Sequence, residues 1–240
     1  MDNILKWIEE NRERPLFLSF IDLGLENGHF VTEMAKKAEK GGSDGIVVGG
    51  SLNINEESVE EMVSKIKKMT DLPVLIFPGN TGMVSGSADG IFFQTLVNSR
   101  NPYWITGAQA MSAPAVHQSG VEVISTAYIV VEPGGVSSWV GEANPLPREN
   151  RGLLKAYATF SELSGKDVIC IDTGFGVKTD LPVEMIRTLK KIVDIPLLFN
   201  GKINDIEDIE RLKETYVDAV ITRVENKSSE EIKELTDSIK

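Results

Sequence analysis

Cysteine occurs once in the sequence, at Cys170, so no intramolecular disulfide framework and no cysteine-based zinc site can form. No apolar run approaches the ~20 residues that a membrane span needs. The amino terminus, MDNILKWIEENRERPLF, carries acids and arginines where a signal peptide has its apolar stretch. Positive charge is also scarce. With 25 Lys and Arg against 36 Asp and Glu, the net charge of −11 argues against the basic face that nucleic acid or an anionic membrane surface would require. The two histidines, His29 and His117, fall in amphipathic helical stretches, which argues against a histidine-centred site. Together these absences predict a reducing, cytoplasmic setting and no nucleic-acid partner.

What is present is a regular alternation. Eight short apolar runs punctuate the chain: LFLSFID (16–22), GIVVGG (45–50), PVLIFPG (73–79), DGIFFQT (89–95), EVISTAYIVVEP (122–133), DVICIDTG (167–174), IPLLFNG (195–201) and DAVITR (218–223). Most are continuous rather than alternating, the pattern of strands buried on both faces of a parallel sheet. Helical patterns lie between them at 28–41, 56–69, 104–118, 151–164, 182–193, 205–215 and 228–239. One gap lacks a helix, where PGNTGMVSGSA can hold a loop but hardly a packed helix. No linker or repeat interrupts the series. The expectation is therefore one domain over 1–240, an α/β chain folded as a (β/α)8 TIM barrel with the third helix replaced by an extended segment. A doubly wound open sheet is the alternative.

The strand-like runs end in polar or glycine-rich turns: IDLG, VGGS, FPGN, VEPGG, IDTGFG, FNGK and ITR. In a barrel these ends share one rim, the face on which barrel enzymes build their sites. Any one such glycine is adequately explained as a turn former; their gathering on one rim points to a site.

Within that frame, VGGS, FPGN, SGSADGIFFQTLVNSRNPYWITGAQ, AYIVVEPGG and EANPLP, in this order, resemble the geranylgeranylglyceryl phosphate synthases of archaea and the similar heptaprenylglyceryl phosphate synthases of bacteria. The resemblance runs from about residue 16 to residue 222 and is loosest toward the carboxyl end. It implies an Mg²⁺-dependent prenyltransferase that joins geranylgeranyl diphosphate, or a similar long prenyl diphosphate, to the 3-hydroxyl of sn-glycerol 1-phosphate in ether-lipid synthesis. It also implies a homo-oligomer and membrane contact only through the lipid product. Asp22 and Ser51 are the positions implied to hold the metal, although taken alone a capping Asp and a turn Ser explain them too. The helix-poor stretch would leave an apolar trough for the prenyl tail, lined by Ile76, Phe77, Ile91, Phe92, Phe93, Tyr103, Trp104, Ile105 and Tyr128, of which Ile76 and Ile91 read equally as core.

The acceptor half departs from the family. The sixth strand, YLEAGSG there, reads Cys170-Ile171-Asp172-Thr173-Gly174-Phe175-Gly176 here. Asp172 is the implied general base, and Cys170, Gly174, Phe175 and Gly176 are implied to lie against the acceptor. The GGGIRS loop is replaced by Asn200-Gly201-Lys202-Ile203-Asn204-Asp205, and a Gly-Asn pair on the eighth strand by Thr222-Arg223. Two accounts are open. In one, Lys202 and Arg223, beside Gly201, replace backbone N–H donors with charged side chains. In the other, the chain is an inactive or re-purposed paralogue that binds a prenyl diphosphate or serves as a scaffold subunit.

Overall fold

The computed structural model describes residues 3–24, 28–50, 56–174 and 180–240, the side chains of 28–29 and 56–58 excepted. Eight parallel strands close into a barrel in sequence order: β1 (Leu16–Asp22), β2 (Gly45–Gly50), β3 (Val74–Pro78), β4 (Gly90–Leu96), β5 (Glu122–Val130), β6 (Val168–Asp172), β7 (Leu197–Asn200) and β8 (Ala219–Arg223), with β8 returning to β1. This is the (β/α)8 TIM barrel that the alternation predicted. Every residue of β1, β2, β6 and β7 is buried, so the continuous apolar runs are strands covered on both faces. The fifth strand ends at Val130, earlier than the run that predicted it.

Helices α2 (Gly28–Lys40), α3 (Glu56–Lys67), α4 (Ala108–Ser119), α6 (Arg151–Leu163), α7 (Val183–Lys190), α8 (Ile206–Lys213) and α9 (Ser229–Ile239) occupy the predicted gaps. Two short helices depart from the sequence expectation: α1 (Ile4–Glu10) and α5 (Gly135–Gly141). Helix α1 covers one end of the barrel interior. Its Ile4 and Ile8 join the inner cluster with Leu18, Leu75 and Ile124, and the Glu122 carboxylate accepts from the Ile4 and Leu5 amides at 2.6 and 2.9 Å. Helix α4 is preceded by a single π-helical turn, Tyr103–Gly107. Such turns are frequent at functional sites. Among the described residues no helix is long and apolar enough to cross a membrane.

Residues 79–89, between β3 and β4, contain no helix. The segment is held by side chains instead. Met83 is buried in the outer cluster with Ile76, Ile91 and Val116. Glu60 of α3 accepts from Ser85 Oγ at 2.5 Å and from the Ser87 hydroxyl. Asp89 receives Lys67 Nζ at 2.7 Å and the Val74 amide at 2.7 Å. Carboxylate bonds thus hold the segment without a helix, and the adjoining barrel wall is left uncovered by one.

The Glu60 carboxyl sits below the usual glutamate range because Ser85, then Ser87, donate to its charged form. A depressed folded-state value contributes stability that is complete above the unfolded value, about 4.3, and is lost as pH falls through the lower folded value. Glu60→Gln should therefore cost about 0.5–1 kcal/mol at pH 7, scaled down for exposure. In urea unfolding at stepped pH, the deficit should shrink as the pH is taken below about 4; a deficit independent of pH would show that the segment is held by other contacts.

Candidate active site

The carboxyl ends of the strands place Asp22, Gly50, Pro78, Leu96, Val130, Asp172, Asn200 and Arg223 around one rim. Two carboxylates there meet different environments. Asp22 is met by the last residue of β8: Arg223 Nη2 donates to its Oδ2 at 2.5 Å, while the Gly24 amide donates to Oδ1 at 3.0 Å. The Arg223 guanidinium also lies 5.6 Å from the centre of the Phe20 ring and within 3.9 Å of the Glu225 carboxylate.

Asp172 is 0% exposed. Its Oδ1 accepts from the Gly174 amide at 2.7 Å, and its Oδ2 accepts a short bond from the Tyr128 hydroxyl. Ser137, carried by α5, stands near enough to the carboxylate and the phenol to favour the charged form of each. Strand register explains the meeting. Tyr128 pairs with Cys170 and Val130 with Asp172, so Tyr128, Cys170 and Asp172 lie on one face with the phenol reaching one step along it. Burial raises the Asp172 carboxyl above its ordinary value, and Ser137, the bonds from Tyr128 and Gly174, and the Arg223 charge oppose the rise. The same burial, followed by the Asp172 charge, pushes Tyr128 well above its ordinary value, so the shared proton rests on the phenol. A buried carboxyl raised in this way beside a cavity is suited to accept a proton. Cys170 is also raised well above its ordinary value by burial, which leaves an inert thiol packed in the barrel interior.

Glycines hold loops five and six together. Gly134 and Gly135 have φ of 87° and 51°, and Gly174 has φ of 83°. A Cβ on Gly174 would lie 2.6 Å from the Gly134 carbonyl oxygen. That close approach puts Ser137 within reach of Asp172.

A groove opens from this rim and passes along the wall left uncovered between β3 and β4, with about 1030 Å³ of space counting its open side. Tyr128, Ser137, Asn200 and Arg223 line its polar part; Phe77, Ile91, Phe93, Trp104 and Val116 line its apolar part. Trp104 is fixed from behind, since Gln109 Nε2 donates to the Trp104 carbonyl at 2.9 Å and to the Gln94 carbonyl at 2.5 Å. Asn200 is 3% exposed, and its Oδ1 has no partner among the described residues. It presents a carbonyl acceptor to whatever enters.

Of the tail-lining residues expected from sequence, Phe77, Ile91, Phe93, Trp104 and Tyr128 reach the groove, whereas Ile76 and Phe92 are buried in the packed core. Tyr103 is 37% exposed and, like Ile105, stands on the surface outside the groove wall, because the π turn directs Trp104 inward in their place. Gly201 is buried, and its amide is already bonded to the Ile221 carbonyl at 3.1 Å. Lys202 is exposed and does not line the groove. Ser51, Phe175 and Gly176 lie outside the described residues. Ser137 and Asn200 are the site residues that sequence reasoning missed. Their signals were the paired glycines ahead of Ser137 and a polar residue at the end of an otherwise apolar strand.

A model of the PcrB family matches residues 6–239. The chain is 40% identical to the geranylgeranylglyceryl phosphate synthase of Methanosphaera stadtmanae over 99% of both chains. It is 39% identical to that of Pyrococcus horikoshii over 90% of this chain and 86% of the relative. Among solved structures it is similar to (S)-3-O-geranylgeranylglyceryl phosphate synthase from Thermoplasma acidophilum in complex with sn-glycerol-1-phosphate, with TM-score 0.95 and 30% identity over 100% of this chain and 99% of that one. Likeness to a thiamine phosphate pyrophosphorylase, at 14% identity and TM-score 0.60, reflects the barrel fold alone.

Gly174→Ala should force loops five and six apart, through the Gly134 contact and the strain of a side chain at positive φ, which costs about 1–3 kcal/mol. Thermal unfolding should record a drop of roughly 2–4 °C for each kcal/mol; an unchanged midpoint would mean that the two loops do not depend on this contact.

Proposed function

The chain belongs to the PcrB family, and from that membership we propose that it is a prenyltransferase joining geranylgeranyl diphosphate, or a similar long prenyl diphosphate, to the 3-hydroxyl of sn-glycerol 1-phosphate. The observation that carries this reading is the continuity of an apolar groove with a charged rim. A ligand with a long hydrocarbon tail and an anionic head matches that arrangement, and a soluble phosphosugar does not need the apolar part.

The reaction forms an ether bond between the acceptor oxygen and the allylic carbon, while the carbon–oxygen bond to diphosphate breaks. Three demands follow. The tail must be kept from water, which Phe77, Phe93 and Trp104 do. The acceptor hydroxyl must be oriented and relieved of its proton, for which Asn200 Oδ1 offers an unpaired acceptor and Asp172 a carboxyl of raised basicity. The anionic groups must be met by positive charge, and Arg223 is a cation in the groove wall.

Mg²⁺ fits the donors at Asp22. The Asp22 oxygens are hard and keep lone pairs beyond the bonds from Arg223 and Gly24. No group of three His, Cys, Asp or Glu able to hold a metal occurs among the described residues, so substrate oxygens would complete the shell, as Mg²⁺ permits. Asp22 would hold the ion, with Ser51 as the second expected ligand, and when bound it supplies charge that stabilises the diphosphate leaving group. The same reading implies a cytoplasmic homo-oligomer that meets the membrane only through its lipid product.

A second reading, prenyl diphosphate binding without transfer, draws on one observation: the Asp22 carboxylate is already engaged by Arg223. Incubation with geranylgeranyl diphosphate, labelled glycerol 1-phosphate and Mg²⁺ separates the two. Label extracted into organic solvent supports transfer; none, with the diphosphate bound, supports the second reading.

Both readings require the tail to be buried. Each CH₂ taken from water contributes about 0.8 kcal/mol, so geranylgeranyl diphosphate should bind roughly 100-fold or more tightly than dimethylallyl diphosphate. Equal affinities by calorimetry would remove the groove from the account.

Asp22→Asn should abolish the Mg²⁺ dependence of diphosphate binding, because the carboxylate is the hard anionic ligand at the rim. Titration with and without Mg²⁺ checks this, and an unchanged dependence would move the ion elsewhere.

A further inference from the structure

We propose that Tyr128 is a catalytic residue, relaying the proton of the acceptor hydroxyl to Asp172; the inference rests on the transferase reading above. Asp172 is 0% exposed and takes no part in the groove wall, whereas Tyr128 is 8% exposed and does. The Asp172 oxygens point at the Gly174 amide and the Tyr128 hydroxyl, and with no exposure they present no lone pair to the groove. A substrate hydroxyl in the groove therefore meets the phenol oxygen before it can meet the carboxylate. The phenol oxygen is suited to the position, since it donates to Asp172 and keeps lone pairs for a donor arriving from the groove.

Ser137 also lines the groove and stands near Asp172, to which the structure shows it making no direct hydrogen bond. Tyr128 is the better placed of the two. It stands on a barrel strand, and its ring is set edge-on to Phe77, with centroids 5.3 Å apart and planes at 83°. Ser137 rides on a seven-residue helix joined through two glycines. A relay needs the oxygen to stay within hydrogen-bond reach on both sides, and the packed phenol is held there.

The step balances. The acceptor oxygen bonds to the allylic carbon as the bond from that carbon to the diphosphate oxygen breaks, and the electron pair leaves with diphosphate. The hydroxyl proton moves to the Tyr128 oxygen while the phenol's own proton moves to Asp172 Oδ2. After product release the proton returns along the same path to water.

The test uses the full chain with geranylgeranyl diphosphate, glycerol 1-phosphate and Mg²⁺. Tyr128→Phe keeps the ring and should lower kcat by roughly 10²–10⁴-fold, the range for a lost acid–base contact, with KM for both substrates changed only a few-fold. Adding Asp172→Glu to that variant should recover activity, because the longer side chain extends into the space left by the hydroxyl; Ser137→Ala should have a smaller effect than Tyr128→Phe. Wild-type single turnovers in H₂O–D₂O mixtures should depend non-linearly on deuterium content, as two protons in motion require. That measurement decides the question even where Tyr128→Phe fails to fold. A Tyr128→Phe enzyme within threefold of wild type, or a linear or absent isotope dependence, overturns the relay while leaving the transferase reading in place. A wild type that makes no lipid product overturns both.

Discussion

A carboxylate without any exposure has to be met by donors, or the cost of burying its charge becomes prohibitive. Much of the rim is arranged around that demand at Asp172. Strand register brings Tyr128 alongside, the left-handed Gly174 turns its amide back to Oδ1, and the contact of Gly174 with Gly134 draws in the short helix that carries Ser137. Arg223 adds a positive charge from across the barrel mouth. Three strands and two loops thus converge on one acid, and the polar part of the groove takes its shape from them.

The second organising constraint is the missing helix. A parallel barrel buries both faces of its strands, and the usual cover for the outer face is the following helix. Residues 79–89 and the π-turned start of α4 cover β3 and β4 incompletely. Phe93, which would be ordinary core under a helix, becomes a wall of the groove, joined by Phe77 from the barrel interior and by Trp104. Phe92, one residue from Phe93 and pointing the opposite way, stays in the barrel interior. The same run of the chain therefore serves core and ligand on alternate residues.

Most of the barrel was legible because its signals are local: continuous apolar runs, helical periods between them, and one gap too rich in glycine, serine and proline for a helix. The short helices α1 and α5 were not, since seven residues give no usable period. Helix α1 is defined by the Asn3 cap and by Glu122, 118 residues away, and α5 by glycines that read as a turn. At the site, Asp22 and Asp172 were visible as acids at strand ends. Their partners were not, because the Asp22–Arg223 and Tyr128–Asp172 bonds join residues 201 and 44 positions apart, and nothing in one sequence fixes barrel register. Lys202 illustrates the opposite error: its place in the loop is legible, its exposure on the outside is not.

The floor of the barrel carries a consequence for how the chain folds. Helix α1 is translated ahead of the barrel strands, but Glu122, which takes its amides, lies 118 residues further along the chain than Ile4, and Ile124, against which it packs, lies beyond that. Isolated helices this short are marginal in water, so α1 depends on those distant partners for its stability. The anchor is on β5, while the inner cluster that α1 caps also draws on β6, β7 and β8 through Val168, Leu198 and Ala219. The high sequence separation that barrel closure imposes on the pairing of β8 with β1 is thus imposed on α1 as well.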